Sequence, residues 1–80
     1  MRVDKWLKVS RLIKRRTVAQ EACDGGRVSI NGKPAKPSSD LKVGDIIEVA
    51  FGSGQVRAEV LSVQETVRKD DAAAMYRQIL

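Results

Sequence analysis

Arg2-Val3-Asp4-Lys5-Trp6-Leu7-Lys8-Val9-Ser10-Arg11-Leu12-Ile13-Lys14-Arg15-Arg16-Thr17 carries seven of the chain's fifteen Lys and Arg residues against a single Asp. Arg2, Lys5, Lys8, Arg11 and Lys14 recur at every third position, with apolar residues between them. At about 100° per residue, Val3, Trp6, Leu7, Ser10 and Ile13 fall in one helical sector, and Arg2, Lys5 and Lys8 fall on the other side. A three-residue period drifts by about 60° per step, so an unbroken helix would bring Lys14 round into the apolar sector. The stretch therefore predicts a helix from near Val3 that ends between Ser10 and Ile13. Lys14-Arg15-Arg16 follows as a basic turn. Asp4, in the first turn, suits the positive end of the helix.

Outward from this stretch, Thr17-Val18-Ala19-Gln20 has the form of a capping box and predicts a second helix opening at Thr17. Val18, Ala19, Ala22 and Cys23 form its apolar side. Gly25 and Gly26 end it, because glycine accepts the left-handed conformation of a C-terminal cap. Arg27-Val28-Ser29-Ile30 alternates as a strand. Asn31-Gly32 is a two-residue hairpin turn, and Lys33-Pro34-Ala35-Lys36 returns as a strand that Pro34 confines to an edge. After a loop, Ile46 to Phe51 and Gln55 to Val63 read as two more strands around Gly52-Ser53-Gly54. In the tail, Ala72, Met75, Tyr76 and Ile79 form one apolar stripe, which predicts a last helix over about 70–80, capped by Asp70 or Asp71. The stripe is free to pack on the sheet or to meet a partner. The expected architecture is one α+β domain over 1–80: two N-terminal helices on a small, mostly antiparallel sheet, plus a short C-terminal helix.

The chain has 80 residues and a net charge of +5. The charge is uneven. Residues 1–36 hold ten basic and three acidic residues, a net of +7, and residues 37–80 hold five and seven, a net of −2. Such asymmetry points to an acidic partner on one face. The chain has no histidine and one cysteine, Cys23. That excludes an internal disulfide, a Cys/His zinc site and a catalytic histidine. No catalytic constellation, metal site or cofactor is expected. Gly52-Ser53-Gly54 does not open a helix and makes a weak nucleotide loop. Asp70-Asp71 reads as a helix cap before it reads as an acid pair. Cys23 reads as a buried, inert thiol. Apolar runs are short and interrupted by charge, so neither a signal peptide nor a membrane span is expected, and the cytoplasm is the default compartment.

Lys and Arg beside a helix N-terminus suit phosphate oxygens. Arg2, Lys5, Lys8, Arg11, Lys14, Arg15 and Arg16 are the candidate RNA contacts. Thr17 and Gln20 would cap and orient the second helix, with Gln20 able to reach RNA, and Arg27 and Lys36 are weaker candidates at the edge. With Trp6, Phe51 and Tyr76 the only aromatics, and Trp6 assigned to the core, recognition should run through backbone and shape and not through unstacked bases. Competing readings are a membrane-lying basic helix, the targeting subunit of an RNA-modifying enzyme, and a protein adaptor working through the tail stripe.

Arg2-Val3-Asp4-Lys5-Trp6-Leu7, Arg15-Arg16-Thr17-x-Ala19 and Gly26-Arg27-Val28-x-Ile30-Asn31-Gly32 resemble the S4-type RNA-binding domain, over about Met1 to Phe51. The resemblance implies an αL-type fold. Leu7 to Thr17, together with Asp71-Ala72-Ala73-Ala74-Met75-Tyr76, is similar to the short bacterial ribosome quality control proteins of the RqcP (YabO) family, related to heat-shock protein 15. This likeness implies a monomeric, ribosome-associated factor that binds 23S rRNA and peptidyl-tRNA on dissociated large subunits. It also implies support of an RqcH-type alanine-tailing factor. Arg2 and Arg16 match that family's expected RNA contacts. Recycling of obstructed large subunits, as implied by the heat-shock relative, is the alternative.

Overall fold

A helix forms at Val3–Val9 (α1), where Val3, Trp6 and Leu7 bury one side. The computed structural model describes residues 1–64 and 68–79. Ser10 caps α1, and Arg11 then takes a left-handed conformation at φ 63°. The Arg11 N–H bonds the Lys8 carbonyl at 3.1 Å and the Ile13 N–H bonds that of Leu7, also at 3.1 Å. The helix therefore stops where the drift of its basic period requires, and Ile13 turns back into the core.

The second helix, α2, spans Arg16–Asp24. It opens at Arg16, not at Thr17. Arg15 is its N-cap residue and no side chain caps it. The expected box does not form, because Gln20 reaches Asp4 at 3.0 Å and does not turn back toward Thr17. Ala19, Ala22 and Cys23 are buried as expected, but Val18 is 44% exposed. At the other end, Gly26 has φ +75°. Arg27 N–H bonds Ala22 O and Gly26 N–H bonds Cys23 O, the paired closure of a Schellman cap.

The strands are β1 (Val28–Ile30), β2 (Lys33–Pro34), β3 (Ile46–Phe51), β4 (Gly54–Val60) and β5 (Tyr76–Ile79). They form an antiparallel sheet in the order β2-β1-β3-β4-β5. Asn31 (φ 52°) and Gly32 (φ 82°) make the tight turn between β1 and β2. Asn31 also binds the start of β3, accepting from Ile46 N–H at 2.9 Å. Pro34 sits in the edge strand, where its missing N–H does no harm. Leu7, Leu41, Ile47, Val49 and Val60 share the core between helices and sheet with Trp6.

The tail departs from expectation. Lys69–Met75 is a 3₁₀ segment, and Tyr76–Ile79 is a fifth strand paired with β4 from Val60↔Tyr76 to Arg57↔Ile79. Arg68 occupies the N-cap position of this segment and makes no side-chain cap bond. Asp71 is exposed, while the Asp70 side chain and Leu80 lie outside the described residues. The alanines stay helical, in a 3₁₀ turn, and the predicted helix gives way to strand from Tyr76, where pairing with β4 overrides local propensity. Ala72 and Met75 are buried. Tyr76 meets Trp6 edge-on, ring centroids 6.1 Å apart at 70°. The Trp6 Nε1–H donates to Ser62 O at 2.8 Å. The predicted apolar stripe thus divides between the core and a strand, and the adaptor reading loses its helix face.

Candidate nucleic-acid interface

Asp4 is the centre of the basic side. Its side chain is fully buried, yet five donors converge on its two oxygens. Lys5 N–H reaches Oδ1 at 2.7 Å and Arg2 Nε reaches it at 3.2 Å. Arg2 Nη2 (3.1 Å), Gln20 Nε2 (3.0 Å) and Arg16 Nε (3.4 Å) share Oδ2. One carboxylate thereby holds two guanidiniums from different elements, with half of the Arg2 side chain (50%) and 43% of that of Arg16 still open to solvent. Among the described residues, Arg2 and Arg16 bind through only part of their N–H donors, which leaves Nη1 of Arg2 and both terminal nitrogens of Arg16 for an outside acceptor. Two arginines on a flexible chain become an oriented pair, which lowers the entropy lost on binding an anion.

Burial acts to raise the Asp4 pKa. The hydrogen bonds from Gln20, Arg2 and Lys5 N–H, with the charge of Arg16, outweigh it and hold the carboxyl below its ordinary value. The first amides of α1 are occupied from the other side: Val3 N–H bonds Ser39 O and Asp4 N–H bonds Pro37 O. The start of α1 is therefore not a phosphate site. The start of α2 differs: among the described residues no side chain caps it, and the exposed Lys14, Arg15 and Arg16 adjoin it in sequence.

The remaining candidates are distributed as follows. Lys8, Arg11, Lys14 and Arg15 are exposed on α1 and the turn after it, and Lys5 is half-buried on α1. Among the described residues, none of Lys8, Arg11, Lys14, Arg15, Arg27 and Lys36 is in an ion pair. Arg2 and Lys36 line one cleft, between the end of α2 and the loop after β2. Lys14 and Arg27 line another. Thr17 is exposed in the first turn of α2 and caps nothing. Gln20 does orient α2, but through Asp4 and not through Thr17.

The opposite surface of the sheet is neutralised internally. Arg57 pairs with Glu48 at 3.1 Å and Arg77 with Glu59 at 2.5 Å. Gln55 adds a hydrogen bond to Glu48. Among the described residues, Lys8, Arg11, Lys14 and Arg15 form the unpaired cluster on α1 and the turn after it, while Lys33, Lys42 and Arg68 are single exposed cations elsewhere. Cys23 is buried, and burial, with the nearby Asp4 and Asp24 charges, pushes its thiol up to about 11. Such a thiol is a poor nucleophile at neutral pH. No helix among the described residues is long and apolar enough to cross a membrane.

Sequence reasoning assigned Asp4 to the helix dipole and missed its role as the hub. The available signal was its isolation, as the one acid among seven cations. It also left Phe51 without a role, although this residue is 40% exposed at the end of β3.

The model of the S4 domain family matches residues 1–47. The chain is 53% identical over 79 residues to an RQC P-site tRNA stabilizing factor of Streptococcus pneumoniae, covering 99% of this chain and 90% of that protein. It is 57% identical over 76 residues to the factor of the same name from Bacillus subtilis, covering 95% and 88%. The structure of heat shock protein 15 from Vibrio cholerae, a trimer, superposes with a TM-score of 0.92 at 31% identity, covering 99% of this chain and 81% of that one.

Proposed function

The chain belongs to the S4 domain family, and from that premise we propose that it is a non-enzymatic RNA-binding factor of ribosome quality control. It binds 23S rRNA and peptidyl-tRNA on dissociated large ribosomal subunits and holds the tRNA while an RqcH-type factor adds alanine to the stalled chain. It works as a monomer. Relatives named for stabilizing P-site tRNA, at 53% and 57% identity, support the tRNA part of this reading. The observation that carries the RNA part is the Asp4 clamp, which presents Arg2 and Arg16 side by side next to the uncapped start of α2.

The mechanism is positional. Phosphates meet Arg2, Arg16, Lys14 and Arg15 directly. Lys5, Lys8 and Arg11 extend the contact along α1, and Arg27 and Lys36 flank it. Backbone contacts of this kind fix register and orientation and carry no base sequence. A factor that only holds tRNA in place needs nothing more.

Purified large subunits carrying P-site tRNA test the reading. The protein should co-sediment with them in preference to small subunits, and Arg16→Ala should weaken co-sedimentation tenfold or more with little change in melting temperature. Equal retention on small subunits, or a variant that unfolds while its folded fraction binds normally, contradicts it. The close superposition on heat shock protein 15 favours a second reading, recycling of obstructed large subunits. In that case the added protein should speed loss of peptidyl-tRNA from the subunit, where tRNA holding predicts slower loss.

A further inference from the structure

A groove of about 440 Å³ opens beside the basic turn, between α2 and the end of β3. The exposed Val18 and Phe51 and the half-buried Leu12 form its apolar margins, above a floor that includes the buried Val49. Among the described residues, Lys14 and Arg27 are its only charged lining residues, and no carboxylate lines it. Phe51 is the one aromatic of three left outside the core packing: Trp6 is buried and Tyr76 lies against it. The inner face of β3 runs on past the helical layer, so this residue reaches solvent at 40% exposure.

Resting on the RNA reading above, we propose that this groove receives one unpaired nucleotide of the strand held by the basic turn. Its base lies on the Phe51 ring and its phosphate sits between Lys14 and Arg27. Lys14 belongs to both surfaces, so a strand whose phosphates cross Lys14-Arg15-Arg16 passes directly over the groove. Two cations and no acid favour a polyanion as the occupant. A half-exposed aromatic ring gives an unstacked base a π-face. The lining offers few hydrogen-bonding edges, so the groove detects an extruded base without reading its identity, and the larger purine surface binds better than a pyrimidine. Recognition then includes one unstacked nucleotide, which the scarcity of aromatics in the sequence argued against.

The test compares two synthetic RNA hairpins by fluorescence anisotropy at one low salt concentration, one fully paired and one with a single unpaired adenosine. The wild-type protein should bind the bulged hairpin about five- to a hundredfold more tightly, the range for stacking of one base on an aromatic side chain. Phe51→Leu keeps the apolar volume and removes the ring. It should bring the bulged hairpin down to the affinity of the paired one at an unchanged melting temperature, and Phe51→Trp should restore the preference. Equal wild-type affinity for the two hairpins overturns the proposal and leaves the RNA reading of the basic turn intact. A preference that survives in Phe51→Leu also overturns it, as expected if the groove serves a protein partner. Failure to bind either hairpin overturns both.

Discussion

Two residues set the chemistry of the basic side, and each is tested by a single substitution. Asp4 is buried and ionised, with its pKa held below the unfolded value of about 3.9. A carboxyl depressed by folding adds stability above its unfolded pKa and loses it as pH falls through the folded one. Unfolding free energy should therefore be flat near neutrality and fall from about pH 4 downward. Asp4→Asn should lower stability by about 2 kcal/mol at neutral pH, since an amide N–H₂ would face the donors of Arg2, Arg16 and Gln20. It should also flatten part of the acid loss, with Asp40, which is depressed by the terminal amino group, supplying another part. Denaturant titrations at about pH 7 and pH 3 measure both effects. Arg11 is the opposite case, a residue that costs stability. Its left-handed backbone is unfavourable for any side chain by roughly 1 kcal/mol. Arg11→Gly should raise stability by up to about 1 kcal/mol, or several degrees in melting temperature. The same variant should shrink the salt dependence of RNA binding by about one unit. Unchanged binding would mean that the strain has no role in RNA contact.

At the level of elements, what was legible followed from periodicity and turn chemistry. The end of α1, the Gly25-Gly26 stop, the Asn31-Gly32 hairpin and the edge position of Pro34 are local physics, and one stretch of sequence determines each. The start of α2 was misread because a capping motif competes with a contact that no local pattern reveals: Gln20 reaches sixteen residues back to Asp4. Thr17→Ala should accordingly cost less than about 0.5 kcal/mol, where a true N-cap costs about 1. A larger loss would restore the capping box. The tail was misread for the same kind of reason. Alanine propensity keeps the chain helical to Met75, which is buried in the core, but from Tyr76, whose ring meets Trp6, the chain pairs with β4. Tyr76→Ala should cost about 2 kcal/mol, from lost apolar burial and the lost edge contact. A near-neutral result would make β5 a loosely held appendage. In the candidate site, the clustering of cations in one stretch was legible, and the carboxylate that orients two of them was not. Charge counting sees the sum, and only the fold reveals which charges touch.

Across the molecule, charge is sorted by layer. Among the described residues, α1 and the turn after it carry the cluster of unpaired cations, Lys8, Arg11, Lys14 and Arg15, while the outer sheet cancels its own through Arg57–Glu48 and Arg77–Glu59. A net charge of +5 spread at random would attract RNA weakly from every side, whereas the cluster on α1 and the turn after it concentrates positive charge in one place. The most direct measurement is the affinity for large ribosomal subunits as a function of salt, taken for the wild type and for two double variants. Arg15→Ala with Arg16→Ala removes two cations from the helical side, and Arg57→Ala with Arg77→Ala removes two from the sheet. Each phosphate contact contributes somewhat less than one unit to the log–log slope. The helical-side variant should bind at least tenfold more weakly and lose roughly one to two units of slope, with the sheet variant matching the wild type. Equal losses in the two variants, or a helical-side variant that keeps both affinity and slope, would contradict a single RNA-binding face built on α1 and α2.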